Sequence, residues 1–183
     1  MKITRDVGPP YLYLEDVVAT RLNRSLYPFP GTSSGKPTKD ILDKIKTIVS
    51  EYESHLPWFL KGPQFCVVLP VWLQFLPVKP SVIVALRNPQ ECYKERASYW
   101  KDKIFFFESW VFLYDELLRS IKMFNLDAIL ITAKELISEP SKVSRKLSEF
   151  LGVQVDIESN IRRELVHGSI TTDNRLYKMM EEQ

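Results

Sequence analysis

Ser81-Val82-Ile83-Val84-Ala85-Leu86-Arg87-Asn88-Pro89-Gln90-Glu91 is the stretch on which the fold turns. Its first half is continuously apolar and rich in β-branched residues, the pattern of a strand buried on both sides of a parallel sheet. Asn88-Pro89 breaks that strand, and Pro89 suits the first turn of a helix expected to run on through Tyr99. A second apolar run, Ala128-Ile129-Leu130-Ile131, follows Asp127 and reads as a second buried strand. Between the two, Phe105, Phe106, Trp110, Leu113, Leu117, Leu118 and Ile121 recur at helical spacing. Beyond the second strand, Ser138-Glu139-Pro140 opens a helix whose face is Val143, Leu147, Phe150 and Leu151, with Gly152 as its C-terminal cap. Strand, helix and strand in alternation predict an α/β fold with a parallel sheet flanked by helices, whose strands 82–86 and 128–131 are parallel.

Upstream, one loop divides the chain. Tyr27-Pro28-Phe29-Pro30-Gly31-Thr32-Ser33-Ser34-Gly35-Lys36-Pro37 contains three prolines without N–H donors and two glycines, and sustains neither helix nor strand. Before it, Leu12, Leu14, Val17, Val18 and Leu22 outline one amphipathic helix; after it, Ile41, Ile45, Ile48, Val49 and Tyr52 outline another. Leu56 to Leu60 reads as a short buried strand stopped by Lys61-Gly62-Pro63, and Phe65 to Leu76, apolar on nearly every face, as a buried helix.

The 183 residues, 45% hydrophobic and 26% charged, exclude a disordered chain and suffice for a core without disulfides or metal. With 25 basic and 23 acidic residues the net charge is +2, too near neutral for a nucleic-acid binder, so any anion site has to be local. Cys66 and Cys92 form no C-x-x-C pair and the only histidines are His55 and His167, so buried reduced thiols are expected and no metal. The most apolar run, Phe65 to Val78, is 14 residues long and interrupted by Pro70, Gln74 and Pro77, short of the roughly 20 apolar residues of a membrane span. Met1-Lys2-Ile3-Thr4-Arg5-Asp6 opens without an apolar signal region, which gives a cytoplasmic location as the expectation.

Chemistry points first to Arg87. An arginine at the carboxyl end of a parallel strand, directly before a helix, stands where open α/β sheets bind ligands and where helix N-termini attract anions. The alternative is an arginine that pairs with a nearby acid or caps a neighbouring helix. Glu15-Asp16 offers a general base, though a first-turn acidic pair facing solvent is the plainer reading. Arg162-Arg163, with His167 beyond, offers a basic rim or a solvated helix face. The Phe105-Phe106-Phe107 and Trp110 group offers a stacking surface, and its spacing favours core packing.

Several segments, in order, resemble the sulfotransferase family that uses 3′-phosphoadenosine 5′-phosphosulfate. Val82 to Glu91 looks like the strand, arginine and Asn-Pro turn with which that family grips the cofactor's 3′-phosphate. Leu136-Ile137-Ser138-Glu139-Pro140 is similar to its leucine pair and acidic-proline turn, and Phe150-Leu151-Gly152 to its helix ending. Gly8 to Asp16 with Leu22-Asn23 resembles a pattern of bacterial members, and Lys61-Gly62-Pro63-Gln64 stands where those members have Lys-Asp-Pro-Arg. The resemblance covers about residues 8 to 183 and implies one P-loop sulfotransferase-like domain over 1–183. It further implies Arg87 and Asn88, with Arg162 and Arg163, at the cofactor, and Glu15 and Lys61 as the candidates for catalysis. The acceptor would be a hydroxyl or amine on a small molecule or carbohydrate.

The polar positions depart from that pattern more than the apolar ones. Glu95 replaces the usual serine of the 3′-phosphate motif, Gly62 and Gln64 replace an acid and an arginine, and Ala133, Lys134 and Glu135 replace a tyrosine, a glutamate and an aspartate. The family's opening strand and Gly-rich loop are not seen downstream of Met1, and Gly31 to Lys36 has three residues between its glycines where a P-loop has four. The expectations are a sheet incomplete at its N-terminal side, completed by dimerisation or another segment, and three open readings: a divergent sulfotransferase, an inactive relative that binds nucleotide or protein, or a protein whose P-loop is carried by residues upstream of Met1.

Overall fold

The computed structural model describes residues 17–26, 37–55, 57–96 and 102–161, and these form two compact units. The first contains α1 (Val17–Leu26), α2 (Lys39–Glu53), α3 (Phe65–Trp72) and, from Ser109 onward, the long helix α5 (Lys103–Phe124). The second contains β1 (Val82–Leu86), α4 (Pro89–Arg96), the start of α5, β2 (Ala128–Thr132), α6 (Ala133–Ser138) and α7 (Pro140–Leu151). Among the described residues no helix is long and apolar enough to cross a membrane.

In the first unit the stripe expected after the loop is a helix. Thr38 caps α2 by accepting the Ile41 N–H, and Ile45, Ile48 and Val49 are buried against Ala19, Leu22 and Leu26 of α1 and Val68 and Trp72 of α3. The helix expected over 65–76 ends at Trp72, because Pro70 removes a hydrogen bond two residues earlier and Gln74 and Pro77 follow. The strand expected over 56–60 is not formed across 57–60. Phe59 is 60% exposed, while Trp58 turns back onto the end of α2, its ring 5.4 Å from that of Tyr52 and its indole N–H donating to Glu53. Pro57 has no N–H to give a ladder, which favours this return over a strand.

In the second unit the α/β reading holds at its coarse level. β1 and β2 are parallel, with Val82 opposite Ala128 and Leu86 opposite Thr132, and the Val82 N–H donating to Asp127 starts the register. These are the only strands of the sheet among the described residues. Burial on both faces is not observed: Val84 and Leu86 point inward, while Ile83 is 45% exposed and Ala85 is exposed. The strand is therefore one-sided, with an apolar outer face that hides the usual alternation.

α7 covers β2, its Val143 and Leu147 meeting Ile131, with Leu136, Val155 and Ile157 around them. Leu151, expected on the same face, is exposed. Gly152 ends α7 with φ of 67°, donating to the Ser148 carbonyl, a left-handed cap that glycine adopts without a Cβ penalty. The chain then folds back, as the Val155 and Ile157 N–H groups donate to the hydroxyls of Ser148 and Ser144.

Candidate functional site

The carboxyl ends of β1 and β2 lie side by side, and each runs straight into a helix. At β1, Asn88 is 4% exposed and its Oδ1 accepts the Gln90 N–H at 2.8 Å, while its carbonyl accepts the Cys92 N–H at 3.1 Å. The asparagine is thus the cap of α4, and Pro89 fills the first helical position, where no N–H is needed. Arg87 stands between strand and cap. Its Nε lies 3.5 Å from Oε2 of Glu91, one turn into α4; the arginine side chain is 34% exposed and the glutamate 10%.

At β2 the turn is closed differently. Thr132 accepts the Glu135 N–H, and Oε2 of Glu135 accepts both the N–H and the hydroxyl of Thr132 at 2.9 Å, a complete capping box. Lys146 of α7 donates to the Leu130 carbonyl at 2.8 Å and lies 3.9 Å from Oε1 of Glu135. Burial pushes the Glu135 carboxyl up, but the Thr132 N–H and hydroxyl, with Lys146 and Lys142 nearby, outweigh it and hold the group below its ordinary value.

Of the expected residues, Arg87 and Asn88 are described at this edge. Lys61 is an exposed residue of the first unit. Near it, Oε1 of Gln64 is buried with no hydrogen-bond partner among the described residues, and a Cβ on Gly62 would come within 3.3 Å of it. Glu15, Arg162 and Arg163 lie outside the described residues, as do the Gly31 to Lys36 segment and Asp16. The aromatic run splits: Phe106 is buried against Tyr93 and Phe107, Phe105 is partly exposed, and Trp110 packs on Tyr114. Lys103 lies 5.9 Å from the centres of the Tyr93 and Phe107 rings.

Glu91 is the residue that sequence reasoning passed over, although its four-residue spacing from Arg87 is the signal for a pair across one helical turn. The edge presents a guanidinium, one third accessible, at a strand end beside a helix N-terminus, with the buried carboxylate of Glu91 against it. Such a set can hold an oxyanion and fix its orientation. Comparison of the chain with protein-family models, with curated proteins and with solved structures finds no match.

Proposed function

We propose that this chain is a sulfotransferase-like protein that takes up a 3′-phosphoadenosine nucleotide at the carboxyl end of β1, with Arg87 directed to the 3′-phosphate. The observation that supports this reading is the parallel strand, arginine turn and capped helix, Leu86 to Glu91, in one continuous unit. When bound as the phosphosulfate, the nucleotide supplies the sulfuryl group and a phosphate leaving group. The residues suggested by resemblance divide the remaining work. Arg87 and Asn88 with Arg162 and Arg163 hold phosphate, and Glu15 and Lys61 remain the residues that the resemblance alone offers for taking the acceptor's proton and offsetting charge.

A second reading, a nucleotide-binding relative without transfer, is favoured by the carboxylate of Glu91 beside Arg87. A guanidinium already paired gives less to a transition state that gathers negative charge.

Titration calorimetry with adenosine 3′,5′-bisphosphate on the wild-type chain and on Arg87→Ala tests the binding. A bidentate arginine–phosphate contact is charge-assisted, so Arg87→Ala is expected to bind at least about tenfold more weakly, and lysine to replace it poorly. Equal binding by both removes Arg87 from the site, and no binding by either the wild type or Glu91→Gln, which lacks the carboxylate beside Arg87, sinks the reading. Incubation with labelled phosphosulfate and a panel of sugars, phenols and amines separates the two readings: transferred label supports the transferase, and binding without transfer the relative.

A further inference from the structure

We propose that Glu91 sets the affinity of the Arg87 site by acting as its internal anion, so that a phosphate arriving at Arg87 binds against a carboxylate the fold has placed there. The inference rests on the phosphate-binding reading above. Glu91 is the third residue of α4, a position from which a glutamate commonly reaches back to its own helix cap. Glu135 does so on the neighbouring strand, closing on Thr132. Glu91 lies against the Nε of Arg87, the residue before its own cap. Burial within the pair is unequal, 10% exposure for the glutamate side chain against 34% for the arginine. A carboxylate so enclosed requires a nearby cation, whereas the arginine also meets solvent. Glu91 is therefore the fixed member, and Arg87 the member that an outside anion encounters.

Two effects of Glu91 oppose each other. Holding Nε restricts the guanidinium, which lowers the ordering cost of a ligand that uses it. The same carboxylate repels that ligand. An anion on the Nε edge has to displace Glu91, and one on the terminal edge sits only a guanidinium's width away. The ordering gain concerns the rotamers of a single side chain. The repulsion scales with ligand charge, which for a phosphate monoester is nearly two, in a partly buried site that salt screens weakly. Repulsion wins, and it weighs more on a phosphate monoester than on a singly charged oxyanion.

The test is calorimetric titration of the full chain with adenosine 3′,5′-bisphosphate, comparing wild type, Glu91→Gln and Glu91→Met, each checked for folding by circular dichroism. Both substitutions keep the approximate volume and remove the charge, and the methionine stands in if the glutamine variant does not fold. The expected result is binding at least about tenfold tighter than wild type, the factor that 1.4 kcal/mol represents. Tight binding by a variant where the wild type shows none supports the inference too. Wild-type binding that the variants leave equal or weaken overturns it, and marks Glu91 as a structural or positioning partner. Failure of wild type and variants alike to bind overturns the phosphate reading itself, and this inference with it.

Discussion

Asn23 has 1% of its surface exposed and so does Trp72; the indole N–H donates to the amide oxygen at 2.7 Å in the middle of the first unit's core. Neither polar group has access to water, so each depends on the other. Trp72→Phe removes the donor and some volume, and it is expected to cost about 1–3 kcal/mol from the unsatisfied oxygen alone. Adding Asn23→Leu removes that orphan, so the double variant is expected to recover part of the loss in chemical denaturation. A double variant less stable than the sum of the two single ones would contradict a specific hydrogen-bonded pair. The sequence presents Asn23 only as part of a short Leu-Asn resemblance, because one polar residue on an apolar stripe carries no mark of its partner 49 positions on. Cys66 is more legible. Its apolar surroundings predict an inert thiol, and burial pushes its pKa up to about 11. Since the thiolate is the nucleophile, alkylation of Cys66 in the native protein at pH 8 is expected to be far slower than in urea, with mass spectrometry of the labelled peptide as the readout.

At the scale of elements, the clearest omission in the sequence reading is α6, although Thr132-Ala133-Lys134-Glu135 spells a capping box that the structure uses in full. The strand before it drew attention to apolar character, and the short helix behind it has no buried residue to give it a period. The same emphasis explains the misreading of β1 as doubly buried: Ile83 and Ala85 are apolar and exposed, so periodicity cannot tell the two faces apart. The capping box has a consequence in pH. The carboxyl of Glu135 is held below its ordinary 4.5, so its contribution to stability is fully present above that value and is lost as pH falls through the lowered one. Denaturation of wild type and Glu135→Gln is therefore expected to differ at pH 7 and to converge in acid. A difference that persists or grows below the lowered pKa would point to shape and not charge. Thr132→Ala, which removes the other half of the box, is expected to cost about 0.5–2 kcal/mol, the range for a lost N-cap.

For the whole chain, apolar periodicity makes α2 legible and unbroken apolar runs make the two parallel strands legible, while of the candidate strand-end site the sequence singles out Arg87 and Asn88 and not the acid beside them. Pairing partners such as Glu91 and Lys146 are chosen by three-dimensional approach, and of these only the four-residue spacing leaves a trace in sequence. The two units also differ in what holds them. In the first, Ile45, Val49, Val68 and Trp72 lie within one buried cluster fed by three helices. In the second, Ile131, Val143 and Leu147 form one buried cluster and Val84, Leu86, Phe106 and Leu126 are buried as well, but the sheet has two strands among the described residues, and β1 leaves Ile83 and Ala85 exposed. Local opening follows buried apolar contact, so amide exchange is expected to be slowest at Ile45 to Val49 and Leu69 to Trp72, and faster across β1 and β2. Exchange followed by mass spectrometry checks this, and strand amides that outlast those of α2 would overturn it. The same measurement reads the proposed site: a nucleotide that binds only the folded unit adds protection that grows with the logarithm of its concentration over Kd, and the gain is expected in peptides covering Val82 to Arg96. Saturating adenosine 3′,5′-bisphosphate that leaves those peptides unchanged would place any bound nucleotide somewhere other than the end of β1.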